Sequence, residues 1–366
     1  MTTTLAATFA RAVPRRLCLL RLSALGDVCH ALPLVRALQA QWPQCRLSWI
    51  IGKLEQQLVG DIAGVDFIVF DKSLGWRAYS HLRRQLAGQR FDLLLHLQTS
   101  ARANLVALLV PARHKLGYDA ARAREGHGLV VNHRLPPLAS GQHQVDDMLD
   151  FLPALGLQRQ APRWDLPVPA SAQAFARGHL PAQGRILAIN ACSSPSRRVH
   201  RDWHAAGYAA VADHAIAELG YEVVLCGGPS AHERAMARAI VQAMARQPID
   251  LVGQTSLKQL AAVLQRADIL LSPDSGPVHI ATAVGTPVLG LYAATNPYQT
   301  GPYLSLAHCV NHYPQAILAE YGKPPEALPW GRRAHGAGAM ASIEAGEVIA
   351  RLQQMTHSLT TARKKH

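Results

Sequence analysis

Residues 16–38 read RLCLLRLSALGDVCHALPLVRAL. The run 16–25 is apolar and leads into Gly26-Asp27, the composition of a buried strand ending in a tight turn. Val28, Ala31, Leu32, Val35 and Leu38 then recur at helical spacing. Pro33 lies early in this segment and predicts an irregular first turn ahead of the helix proper. Strand, glycine turn and helix in this order make one unit of a parallel α/β sheet. The same alternation continues outward, with strands predicted at 46–51 and 91–97. A Pro-rich stretch at 161–170 (APRWDLPVPA) reads as an interdomain linker, and the pattern then restarts. Strands are predicted at 185–190, 221–226, 268–271 and 287–292, and helices at 205–219 and 257–266, the second capped by Ser256. Residues 1–14 read as a loose extension, 322–341 as loop, and a last helix lies near 343–355.

The length of 366 residues fits two domains at roughly 100–200 residues each. Apolar residues at 49% and charged residues at 17% leave ample material for two cores. The formal net charge is +13. Basic residues outnumber acidic ones by 20 to 12 in residues 1–170 and by 17 to 12 thereafter, so the closing Arg363, Lys364 and Lys365 do not account for the excess. A field of this sign favours an anionic partner: nucleic acid, an acidic membrane surface or a phosphorylated substrate. The six cysteines form no C-x-x-C pair, and Cys18 and Cys226 sit inside strand-like runs, which suits buried thiols in a reducing compartment. The apolar stretch 17–25 is short and interrupted by Arg21, and nothing approaches the ~18 apolar residues of a membrane span. A cytoplasmic protein is expected.

Ligands of open α/β sheets bind beyond the carboxyl ends of the strands, and three predicted strand ends carry polar clusters. At Leu25-Gly26-Asp27, the carboxylate fits either a general base for a hydroxyl or a plain helix cap. At Asn190-Ala191-Cys192-Ser193-Ser194, followed by Arg197, Arg198, Arg201 and Trp203, hydroxyls and guanidinium groups suit a diphosphate, although such a run also suits a solvated basic loop. At Ser272-Pro273-Asp274-Ser275-Gly276-Pro277-Val278-His279, a polar turn opens a helix with proline in its first turn, so free N–H groups would face a phosphate. Asp274 and Ser275 also fit caps there, and His279 an ordinary half-buried histidine. No G-x-G-x-x-G follows a strand and no G-x-x-x-x-G-K-[ST] occurs, which argues against dinucleotide dehydrogenases and P-loop kinases.

Taken together, RLSALGDVCHALPLVRAL at 21–38, RDW at 201–203, CGGP at 226–229 and SPDSGPVHIATAVGTPVLGLYAATNP at 272–297 resemble glycosyltransferase family 9, the ADP-heptose:lipopolysaccharide heptosyltransferases. The likeness extends from about residue 16 to residue 355. It implies a GT-B fold: two Rossmann-like, doubly wound parallel-sheet domains facing a cleft. The acceptor-binding domain would span 1–165 and the nucleotide-sugar domain 175–366, the last helix being free to pack back on the first. It further implies inversion at the anomeric carbon, no metal, and no cofactor beyond the nucleotide sugar, ADP-heptose. Under the resemblance Asp27 becomes the catalytic base, and Asp274, Ser275, Gly276 and His279 line the donor. Arg201 stands where the family usually has Lys, His204 replaces a common Pro, and Glu233 lies near the position of a ribose-binding acid.

Chemistry adds the diphosphate donors Ser193, Ser194 and Arg201. The anionic, lipid-linked core oligosaccharide would meet Arg102, Arg113, Lys115 and Arg122, with Arg124 nearby, and the enzyme would touch the cytoplasmic face of the inner membrane peripherally. Two rivals remain open: another nucleotide sugar or core acceptor, and a basic nucleic-acid-binding protein. Aromatic residues at 6%, not interleaved with the basic groups, argue against nucleic acid.

Overall fold

The computed structural model describes residues 4–138, 141–194, 199–336 and 338–363. The chain divides into two compact units, Met1–Pro167 and Val168–His366. The first unit holds six strands: β1 Arg16–Leu20, β2 Arg46–Gly52, β3 Val65–Phe70, β4 Phe91–His96, β5 Ala112–Gly117 and β6 His133–Arg134. They pair in parallel in the order β3-β2-β1-β4-β5-β6. The second unit holds β7 Arg185–Asn190, β8 Tyr221–Cys226, β9 Ile249–Asp250, β10 Ile269–Pro273, β11 Val288–Tyr292 and β12 Val310–Asn311, in the order β12-β11-β10-β7-β8-β9. Position for position this is the same topology, the doubly wound order whose direction reverses between the first and fourth strands.

Both faces of each sheet are covered by helices, and so the central strands are apolar on both sides. Leu17, Cys18, Leu19 and Leu20 of β1 and Ile186, Leu187, Ala188 and Ile189 of β7 are fully buried. One core of the first unit joins Cys18, Leu20 and Leu94 to Leu82 and Val106 from its helices. The second unit's core joins Leu187, Leu225 and Leu271 to Trp203 and Tyr208.

Two expectations are corrected. Residues 5–11 form a helix, Leu5–Arg11, within the stretch read as loose; Thr4 caps it at 3.2 Å, and Leu5 and Phe9, four apart on one face, are buried. Phe9 packs edge-on against Trp42, with ring centroids 5.7 Å apart. The helix predicted to open with an irregular first turn runs unbroken over Leu25–Gln41, taking in Leu25, read as strand, and Gly26-Asp27, read as a turn. Proline removes one backbone hydrogen bond, but ten buried residues between Val28 and Leu38 hold the helix against the sheet. The last helix, Ala345–Arg363, packs on the helix Ala205–Leu219 and sends Val348, Leu352 and Met355 into the second unit's own core. Among the described residues no helix is long and apolar enough to cross a membrane.

His96 closes β4 and is fully buried, with Nε2 2.9 Å from the side-chain oxygen of Asn104 and its ring 4.4 Å from that of His127. Burial lowers the pKa of both imidazoles, that of His96 from 6.5 to about 3. His96 is therefore neutral in the folded chain down to about pH 3 and His127 takes up its proton less readily than when unfolded, whereas the unfolded chain gains both protons as pH drops below 6.5. The stabilisation is complete above pH 6.5 and is lost progressively between there and about pH 3. At pH 5 His96 alone costs about 2 kcal/mol. The melting temperature should fall between about pH 7.5 and about pH 5, and His96→Gln should flatten that slope. A melting temperature indifferent to pH across this range would contradict the assignment.

Candidate active site

In the second unit the direction reversal lies between β7 and β10, and the residues beyond their carboxyl ends converge. Asn190 ends β7 and is buried; its amide donates to the Cys192 carbonyl at 2.8 Å and to the hydroxyls of Ser272 and Ser275 at 3.1 Å each. Ser272 and Ser275 are themselves 2.8 Å apart. Ser275 is the N-cap of the helix Gly276–Val284, yet its side chain makes no capping bond because this knot holds it. Pro277 in the first turn has no N–H to satisfy. The helix thus begins without a side-chain cap, its Val278 N–H reaching only the Ser275 carbonyl at 3.3 Å, and with its positive dipole end beyond β10. Asp274 and His279 flank that start, both buried.

Arg201 reaches this point from the loop after β7. Its Nη1 lies 3.3 Å from Asp274, and its Nη2 donates to the Ser194 carbonyl at 3.1 Å. Its Nε is buried with no partner among the described residues. Asp274, which looks out of place beside a phosphate site, serves here to orient the guanidinium. Two predicted donor residues are otherwise engaged. Ser193 directs both its N–H and its hydroxyl to Asp202, at 2.7 and 2.8 Å, and His232 grips the other carboxylate oxygen at 2.6 Å. Glu233 accepts from the Gly228 N–H at 2.6 Å and from Ser230 at 2.5 Å, closing the start of the helix Ala231–Ala243. His204 caps the helix Ala205–Leu219 through Nδ1, 2.9 Å from the Gly207 N–H, which accounts for a histidine there. Arg197 and Arg198 lie outside the described residues.

Cys192, Asp202 and His232 bring ligand atoms within 4.8 Å of one another, close enough for a metal. Their present chemistry is that of a hydrogen-bond network. Burial pushes the Cys192 thiol up to about 12, with Asp202 and Glu233 adding to the rise, and both Asp202 oxygens already have donors. The sequence motif RDW contained Asp202, but its role was legible only once His232 was brought beside it.

In the first unit Asp27 sits at the third position of the helix Leu25–Gln41. Its Oδ2 accepts from the Ala24 N–H at 2.8 Å and is paired with Arg21 at 2.6 Å. The carboxylate therefore does cap the helix, and both contacts fall on one oxygen, leaving Oδ1 turned to other use. Arg21 also donates to the Leu97 carbonyl, and the Leu22 N–H donates to Gln98 at 2.8 Å, so the ends of β1 and β4 are bound together.

Beside this loop a cavity of about 300 Å³ is lined by Ser23, Lys53, Glu55, Lys72, Ser73 and Arg102 among others. Glu55 is buried, which raises its pKa. The lysines follow the ends of β2 and β3, a placement that could have marked them in the sequence.

Of the predicted acceptor residues, Arg102 alone lines this cavity. Arg122 is enclosed by Asp119, Asp147 and Asp150 at 2.5, 3.0 and 3.8 Å, and three carboxylates leave it no charge to offer an anion. Lys115 donates to the Ala107 carbonyl at 2.7 Å from within β5, and burial lowers its pKa. Arg113 is exposed near the start of β5, away from the carboxyl ends of the strands, and Arg124 donates to Ala121 and Ala123 at 2.8 and 3.0 Å.

Comparisons with known proteins agree on one family. The model of glycosyltransferase family 9 (heptosyltransferase) matches residues 79–326. The lipopolysaccharide core heptosyltransferase OpsX of Haemophilus influenzae is 38% identical over 342 residues, 93% of this chain and 97% of its own. Among solved structures, a family 9 glycosyltransferase of Veillonella parvula superposes with a TM-score of 0.77 at 22% identity, covering 94% of this chain and 97% of its own. The ADP-heptose lipopolysaccharide heptosyltransferase II of Escherichia coli gives 0.71 at 19% identity, covering 94% and 99%. These structural likenesses show the GT-B fold.

Trp203 anchors the loop that carries Arg201 and Asp202; it is buried, with Nε1 donating to the Ile343 carbonyl at 3.0 Å. A Cβ on Gly207 would lie 2.4 Å from its ring. Gly207→Ala should displace the indole, destabilise the second unit by about 1–3 kcal/mol, and weaken anion binding at Arg201. Unchanged denaturant midpoint and anion affinity in this variant would show that the loop does not depend on the packing.

Proposed function

The chain belongs to glycosyltransferase family 9, the heptosyltransferases, and from that premise we propose that it transfers heptose from ADP-heptose to the lipopolysaccharide inner core, inverting the anomeric carbon without a metal. The observation that carries this reading is the uncapped start of the helix Gly276–Val284 beside Arg201, held in place by Asp274. It offers backbone N–H groups, a dipole end and a guanidinium to one anionic group. The names of the relatives, which include an ADP-heptose lipopolysaccharide heptosyltransferase, support the donor and acceptor classes.

In this reading the diphosphate of the donor rests on the helix start and Arg201. Negative charge grows on it as the glycosidic bond breaks through an oxocarbenium-like state. Each preorganised donor there lowers the barrier by roughly 3–4 kcal/mol. His279 faces the sugar side. Asp27 takes the proton of the attacking acceptor hydroxyl on Oδ1, while Arg21 and the Ala24 N–H fix Oδ2. Lys72 and Arg102 receive phosphate and carboxylate groups of the acceptor in the adjoining cavity. With Asp27 in one unit and the donor residues in the other, substitutions separate chemistry from donor binding.

Asp27→Asn keeps the cap but removes the base. It should cut kcat by about 100-fold or more while ADP affinity holds. Near-normal turnover would leave Asp27 as a cap only.

ADP should bind the full chain with chelator present, as read by calorimetry, and Arg201→Ala should weaken it by about 1.5–3 kcal/mol. Binding abolished by chelator would make the site metal-dependent, with Cys192, Asp202 and His232 the first residues to test.

A further inference from the structure

Leu74 and Trp76 flank Gly75, whose φ of 55° lies in the left-handed region that favours glycine. The turn leaves Leu74 44% and Trp76 80% exposed. An indole this open forgoes most of the burial that favours aromatic side chains. Trp76 leans on Tyr79, ring centroids 5.5 Å apart, and with Phe70, Lys72 and Arg102 lines a hollow of about 200 Å³. This hollow shares Phe70, Lys72 and Arg102 with the larger cavity, whose wall includes the half-exposed Leu54. Arg102 opens the helix Ala101–Leu109, and its solvent side continues in the exposed Leu105 and Leu108.

Charge runs the same way across this face. Lys72, Arg77 and Arg102 make no ion pair among the described residues. The carboxylates close by are occupied: Glu55 is buried, Asp71 is paired with Lys53 at 3.0 Å, and Glu125 accepts the Ala101 N–H at 2.5 Å. Apolar side chains ringed by unpaired cations complement an anionic bilayer surface, where indoles settle at headgroup depth and cations meet lipid phosphates.

We propose that this face docks on an anionic membrane, with Leu74 and Trp76 entering the headgroup region and the neighbouring cations binding lipid phosphate. The proposal rests on the functional reading only in supposing that docking delivers the mouth of the acceptor cavity to a lipid-linked substrate.

Sedimentation with vesicles that contain no sugar acceptor tests it on the full chain. The chain should bind vesicles containing phosphatidylglycerol, not phosphatidylcholine alone, less tightly as salt rises, and brominated lipid should quench a tryptophan emission that Trp76→Phe removes. Leu74→Ser with Trp76→Ser should weaken vesicle binding about ten-fold, with melting temperature and ADP affinity unchanged. Absence of binding to anionic vesicles, or equal binding by the double variant, overturns the proposal. So does a dimer, formed without lipid, that the same two substitutions dissociate, since the face would then belong to a second copy. Lipid binding by a chain that transfers no heptose would uphold the face and reject the transferase reading, and ADP-dependent transfer by a chain that ignores vesicles would do the reverse.

Discussion

In each sheet, the two strands between which the winding direction reverses are bound to each other by side chains at both ends. At the start, Asp92 accepts the Arg15 and Arg16 N–H groups at 2.8 and 3.0 Å in the first unit, and Asp268 accepts the Ile186 N–H at 2.8 Å in the second. At the far end, the Gln98 amide oxygen takes the Leu22 N–H, and the Asn190 amide bonds Ser272 and Ser275. Here the crossovers depart to opposite sides, so strand-end polar groups lose their regular ladder partners and need others. The side chains that satisfy them also fix where each strand stops, and Asp27, Arg201, Asp274 and Ser275 hang from those stops.

The consequence is clearest around Asn190. Because its amide holds Ser275, that hydroxyl cannot turn back to cap its own helix, and the helix start remains open. Because the same knot positions the turn, Asp274 is placed to receive Arg201. A structural requirement of the sheet and a chemical capacity for anions thus come from one set of bonds. The first unit does something different with the same need. Arg21 joins the end of β4 through the Leu97 carbonyl and in doing so reaches Asp27, so the residue that ties the strands also orients a carboxylate.

Much of this fold was legible in the sequence because buried parallel strands are continuous apolar runs. Arg185–Asn190 and Tyr221–Cys226 appear with the predicted limits, as does the Ser256-capped helix Leu257–Arg266. β5 was not visible: His114 and Lys115 interrupt it, the lysine satisfying itself on the Ala107 carbonyl. β6, β9 and β12 have two residues each, too few for any periodicity to register. At the site, the motifs marked where chemistry would gather but not which atoms would be free. Ser193 and Glu233 carry suitable groups at suitable places, yet each is bonded to a neighbour brought in by the fold, and Lys53 and Lys72 drew no notice because no motif surrounds them.

The same distinction governs charge. A net charge of +13 predicts an anionic partner but no surface, since a basic residue held by carboxylates contributes little field at a distance. In the first unit Arg122 is enclosed by three aspartates and Arg159 is bound to Asp146 and Asp150, so neither offers a free charge to an anion. Lys72, Arg77 and Arg102 have no such partners among the described residues and lie beyond the carboxyl ends of β3 and β4. Their charge stands unneutralised beside the cavity mouth, where Trp76 and Leu74 meet solvent. Pairing, rather than composition, decides which face an anion encounters first.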